Sequence, residues 1–192
     1  TRQEFDEFYT HVPERVLIIL DEAYYEFAKN SPDYPNSMSY RYDNVITLRT
    51  FSKAYGLAGA RIGYGFAHES LIENLLKVKV PFEPSLSAQV AGLAALDDVK
   101  FLAKTLKINQ EGMAYLKQEF DKLGIQQVSS EANFITTVWD SEETASKLTQ
   151  DLLEKGVIVR QLTGFGWPNC IRITVGLDSE NQKCIESLNQ VL

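Results

Sequence analysis

Val45-Ile46-Thr47-Leu48-Arg49-Thr50-Phe51-Ser52-Lys53-Ala54-Tyr55-Gly56 and the earlier run Val16-Leu17-Ile18-Ile19-Leu20-Asp21 decide the fold. Each opens on consecutive aliphatic residues rich in β-branched side chains. A short run of that kind without polar alternation predicts a strand covered on both faces, as in a parallel sheet. Each then turns abruptly to polar, chemistry-bearing residues: Asp21-Glu22 after the first run, Thr50, Ser52 and Lys53 after the second. The C-terminal ends of parallel strands are where open α/β sheets bind ligands.

Outward from these runs, Phe5, Phe8 and Tyr9 predict a helix over 4–11, ended by Pro13. Two prolines, two asparagines and three serines make 29–40 a loop. Arg61–Ala67 reads as a third short strand, and Leu71, Ile72, Leu75, Leu76 and Val78 form a helical stripe. Pro81-Phe82-Glu83-Pro84 interrupts the pattern, giving a division into 1–80 and 81–192. Beyond it, 86–122 reads as two helices meeting at Asp97-Asp98, an expected N-cap. Strands follow at 125–129, 133–139, 157–162 and 170–175, with helices at 142–155 and 179–191. The expected architecture is α/β: a parallel-sheet part followed by a smaller α+β part.

Composition narrows the function. The 192 residues are 44% hydrophobic and 23% charged, values of an ordinary globular chain. No apolar run approaches the roughly 18–20 residues of a membrane span. Nineteen Lys and Arg against 26 Asp and Glu leave a net charge of −7. With no basic run, nucleic acid and anionic membranes are not expected partners. Cys170 and Cys184 stand 14 residues apart without a metal-binding spacing, and read as reduced thiols of a cytoplasmic protein. His11 and His68 are the only histidines, which leaves metal sites and catalytic triads little material. Gly63-Tyr64-Gly65 lacks the third glycine of a dinucleotide fingerprint, and no P-loop pattern occurs.

Taken singly, the polar residues admit ordinary readings. Asp21 can cap a turn, Tyr24 can pack, and Lys53 can be a solvated loop lysine. Arg160 and Arg172 can be surface ion-pair residues. Lys53 at the mouth of a sheet and partly desolvated would instead be a nucleophile. Thr50, Ser52 and Arg61 can together cradle a phosphate.

In combination they are more specific. Asp21-Glu22-Ala23-Tyr24, Ser52-Lys53 beginning 31 residues after Asp21, and Arg61 eight after Lys53 resemble the cofactor site of fold-type I, pyridoxal-phosphate-dependent aminotransferases. Thr50-Phe51-Ser52-Lys53-Ala54-Tyr55-Gly56-Leu57-Ala58-Gly59-Ala60-Arg61-Ile62-Gly63-Tyr64 is similar to that family's lysine signature, Ala60 standing where leucine is common. Val157–Leu162, Gly166-Trp167-Pro168 and Ile171–Gly176 resemble the tail of the histidinol-phosphate aminotransferases, a class II subgroup. The resemblance implies a covalent link from Lys53 to the cofactor aldehyde, with the freed amine moving the substrate proton. It implies that Asp21 pairs with the pyridine nitrogen, that Tyr24 bonds the ring oxygen, and that Thr50, Ser52 and Arg61 hold the phosphate. Arg160 and Arg172 would grip the anionic ends of histidinol phosphate and of glutamate or 2-oxoglutarate.

The family builds its large domain from more strands than 1–80 contains, and works as a homodimer. Its phosphate-binding turn, its ring-stacking aromatic and its Asn-bearing turn have no counterpart here. The resemblance therefore implies the C-terminal half of an enzyme of histidine biosynthesis, a chain inactive by itself and with an exposed apolar sheet edge. Another aminotransferase, a phospho-amino-acid decarboxylase and a non-catalytic interaction fragment are the alternatives.

Overall fold

In the computed structural model, which describes residues 1–40 and 42–192, the chain forms two compact units, Thr1–Ala103 and Lys104–Leu192. The first unit carries a three-stranded sheet of order β1-β2-β3, from Ile18–Asp21, Val45–Thr50 and Gly63–Ala67. β1 and β2 run parallel, Ile18 opposite Val45 and Asp21 opposite Leu48. A parallel pair needs a long crossover. Here the short helix α2 (Tyr25–Ala28) and the irregular segment after it supply one, that segment holding a 3-10 turn at Ser37–Ser39. Two more helices flank the sheet in sequence, α1 (Arg2–Thr10) and α3 (Glu69–Val78).

Two expectations change. β3 is antiparallel to β2, Thr50 opposite Gly63, so the sheet is mixed. The link from Thr50 to Gly63 holds only a 3-10 turn, Ala58–Ala60, too little for a crossover, so the chain returns directly alongside. Gly63 permits that return, because a Cβ there would lie 2.7 Å from the Arg49 carbonyl oxygen. β1, read as buried on both faces, is instead an edge strand that leaves Leu17 and Ile19 exposed. β2, central in the sheet, buries Val45, Ile46 and Thr47.

α4 (Leu86–Asp97) begins at Ser85, whose Oγ accepts the Ala88 N–H. α5 (Val99–Lys122) follows, and Asp98 Oδ1 accepts the Phe101 N–H at 2.9 Å, realising the expected cap. The boundary between the compact units falls inside α5, whereas the sequence division at 80/81 falls between α3 and α4.

The second unit is an antiparallel sheet of order β4-β5-β7-β6, from Gln126–Val128, Phe134–Val138, Trp167–Thr174 and Arg160–Leu162. α6 (Glu142–Glu154) and α7 (Asp178–Val191) join α5 in covering its core. Leu116, Phe120, Ile135, Leu152, Ile171 and Leu188 lie fully buried there. β6 is shorter than read and β7 begins three residues earlier, the two joined through a 3-10 turn and a left-handed Gly166. Cys170 and Cys184 are both buried and unbridged. Burial pushes the Cys184 thiol up to about 11, an inert core thiol.

Candidate active site

In the first unit the chemistry gathers at one end of the sheet. Asp21 ends β1 and Thr50 ends the parallel β2. The Asp21 carboxylate is exposed, and its Oδ1 accepts the Ala23 N–H at 3.0 Å, so it also caps the turn into α2. The segment after Thr50 is a constrained loop. Ser52 N–H donates to Thr50 Oγ1 at 3.1 Å, Gly56 N–H to the Lys53 carbonyl at 3.0 Å, and Leu57 N–H to the Phe51 carbonyl at 2.9 Å. Phe51 and Ala54 are buried, which anchors the loop on either side of Ser52 and Lys53. Lys53 is exposed rather than desolvated, its Nζ 5.3 Å from the centroid of the Tyr24 ring.

Arg61 closes the loop. Its φ of +52° is left-handed, a conformation rare for a side chain of this size. Its Nη1 donates to the Ala58 carbonyl at 2.9 Å, and Phe51 N–H reaches the Ile62 carbonyl beside it at 3.2 Å. Strain of order 1–3 kcal/mol concentrates at functional sites, where the surroundings hold it. Asp21, Tyr24, Thr50, Ser52, Lys53 and Arg61 thus come from three short segments to one sheet end.

Behind them lies a polar cluster that the motifs did not reveal. Arg49 donates from Nε and Nη2 to Glu22 Oε2, each at 2.9 Å, and both side chains are buried. Ser37 Oγ donates to the same oxygen at 2.6 Å, and Arg49 Nη2 reaches Asn36 Oδ1 at 3.3 Å. The guanidinium lies 3.4 Å from the Tyr25 ring centroid. Glu26 is buried on α2, its Oε2 without a hydrogen-bond partner, and burial raises its carboxyl above the ordinary 4.5. The visible signal was an arginine interrupting an aliphatic strand, and a second acid directly after Asp21.

In the second unit, Arg160 and Arg172 are direct partners across β6 and β7. Their separation along the chain concealed this. Like charges directly opposite repel, and among the described residues neither arginine pairs with a carboxylate. Arg160 lies 5.1 Å from the Phe165 ring and Arg172 5.1 Å from the Phe134 ring. Arg172 Nε is buried with no hydrogen-bond partner. It borders a cavity of about 380 Å³ walled by Phe134, Thr136, Leu162, Phe165 and Trp167. An aromatic-walled pocket with an unsatisfied guanidinium donor suits an anionic group carried on an apolar or planar body.

The sequence model of the class I and II aminotransferases matches residues 1–188. The chain belongs to the class I and II aminotransferases. A histidinol-phosphate aminotransferase of Akkermansia muciniphila is 44% identical over 191 residues, covering 100% of this chain and 52% of that protein. Histidinol-phosphate aminotransferase 1 of Nitrosococcus oceani is likewise 44% identical, covering 98% and 51%. The crystal structure of the Sinorhizobium meliloti histidinol-phosphate aminotransferase, in complex with pyridoxal-5′-phosphate, superposes with a TM-score of 0.89 at 29% identity. It covers 98% of this chain and 52% of that one. The chain thus spans about half the length of these aminotransferases, and the fold is that of the fold-type I enzymes.

Proposed function

We propose that residues 1–192 form the lysine-bearing part of a pyridoxal 5′-phosphate-dependent aminotransferase that moves an amino group between histidinol phosphate and 2-oxoglutarate or glutamate. The observation that carries the reading is the placement of Lys53. It stands on a constrained loop at the C-terminal ends of two parallel strands, beside Tyr24, in a chain whose family is established. The donor set fits the cofactor: one amine, one strand-end carboxylate, one phenol, and two hydroxyls with a guanidinium.

When bound, the cofactor supplies an aldehyde and a ring that accepts electrons. Lys53 Nζ would anchor it and, once the amino substrate has displaced the lysine, the freed amine would take up the proton leaving the substrate α-carbon. The Asp21 carboxylate would pair with the ring nitrogen and keep it cationic, and Tyr24 would donate to the ring oxygen. Thr50, Ser52 and Arg61 would hold the phosphate, Arg61 as a charge-assisted fork. Arg160 and Arg172 receive the anionic end of the substrate, which relieves their mutual repulsion and gives the Arg172 Nε a partner. The enzyme acts as a cytoplasmic homodimer; among the described residues no helix is long and apolar enough to cross a membrane.

The test uses the complete polypeptide in which residues 1–192 occur. With pyridoxal 5′-phosphate and borohydride, peptide mass mapping should place the label on Lys53, and histidinol phosphate with 2-oxoglutarate should yield glutamate. Lys53→Ala should remove the label and lower turnover at least about 10²-fold. Label spread over other lysines, or carbon dioxide in place of glutamate, would overturn the reading. Residues 1–192 alone should show little or no turnover.

A further inference from the structure

We propose that the buried Glu22–Arg49 ion pair is a positioning device for the cofactor site, holding the ends of β1 and β2 at the separation that sets Asp21 against Lys53. The inference rests on the cofactor reading above. Side chains along a strand alternate between faces. In β2, Leu48 is exposed and Arg49 buried; in β1, Asp21 is exposed and the following Glu22 buried. The register puts Asp21 beside Leu48, and Glu22 N–H donates to the Leu48 carbonyl at 2.9 Å. The ion pair therefore bridges the two strands one residue beyond Asp21 and one residue before Thr50, on the face away from the Asp21 carboxylate.

The pair is also fastened to a third segment. Ser37 Oγ donates to Glu22, Arg49 Nη2 reaches Asn36, and Tyr25 of α2 stacks against the guanidinium. Tyr24 adjoins that stacked tyrosine, so the segment that carries Asp21 and Tyr24, the strand that leads to Lys53 and the turn at Asn36 and Ser37 meet at one guanidinium. A buried ion pair is a poor stabiliser compared with apolar residues of equal volume, but its geometry is definite. A definite geometry at this point has a use, because the ring nitrogen and the aldehyde of a planar cofactor must be met at once from two different strands.

The experiment measures binding in the complete polypeptide. Ligands are pyridoxal 5′-phosphate and the analogue whose ring nitrogen is replaced by carbon, titrated by fluorescence, with melting of each variant alongside. The wild type should prefer the natural cofactor roughly ten- to hundredfold, the worth of one hydrogen bond to a charged group. Asp21→Asn should abolish that preference. Glu22→Leu with Arg49→Met should melt within a few degrees of wild type and still label at Lys53, yet lose most of the preference. Should the double variant not fold, Glu22→Asp, which keeps the charge on a shorter arm, should show the same loss. An undiminished preference in the folded variants overturns the positioning role and leaves the cofactor reading intact. No preference and no Lys53 label in the wild type overturns both.

Discussion

Glu26 is the residue whose surroundings conflict most with its charge. It is buried and one oxygen lacks a partner; its own backbone N–H, Arg49 and Lys29 only partly offset that burial, and Glu22 adds a small repulsion. The folded-state pKa is raised, burial being the largest cause. The folded protein then holds a proton that the unfolded chain has released, so stability is full below the ordinary 4.5 and falls as pH climbs through the folded value. Glu26→Gln should therefore raise the melting temperature at pH 7 by a few degrees, with the gain fading below about pH 4.5, as followed by circular dichroism across pH. The Lys53 motif was legible because Thr50, Ser52, Lys53 and Arg61 fall within one short contiguous signature. Glu26 and the Glu22–Arg49 pair were not, since their partners lie up to 27 residues away. A charged residue in a strand reads as exposed until a second chain segment is seen to cover it.

At the scale of elements, α5 meets the turn between β7 and α7 through Gly112. A Cβ there would lie 2.5 Å from Val175 Cγ1 and 2.6 Å from Asn181 Nδ2. Asn181 cannot easily give way, because its side chain accepts the Gly176 N–H and donates to the Gly176 carbonyl. Gly112→Ala should cost about 1–3 kcal/mol by overpacking, despite alanine's better helix propensity. Urea unfolding of the variant against Lys107→Ala, at an exposed position on the same helix, would isolate the steric part. The start of α5 was readable from its cap, Asp98, which accepts the Phe101 N–H; Ser85 and Ser141 cap α4 and α6 in the same way, though no sequence reading had named them. Strand direction was not readable. The antiparallel return of β3 follows from a link too short for a crossover, a constraint that an aliphatic pattern does not encode.

For the whole molecule, the two units differ in how much apolar surface they keep covered. The second encloses its aliphatic core between a sheet and three helices. The first leaves a stripe on α4 open, with Leu86 76%, Val90 60% and Leu93 67% exposed at helical spacing, in addition to Leu17 and Ile19 near the sheet edge. Apolar patches of this kind mark surfaces that pack against other chain. Residues 1–192 alone should run above monomer mass at micromolar concentration, and Leu86→Glu with Leu93→Glu should shift the sedimentation profile toward monomer. A monomer of residues 1–192 at that concentration would contradict this.

The family was legible in the sequence alone, because its signature from Thr50 to Tyr64 is one unbroken stretch of chain that needs no distant pairing to be recognised. Only the tertiary structure decided that β3 returns antiparallel to β2 and that Arg160 stands opposite Arg172. It also decided that Arg49 is buried against Glu22. Each of these is a pairing between segments far apart in the chain, set by which backbone hydrogen bonds and which buried faces the folded chain could satisfy together.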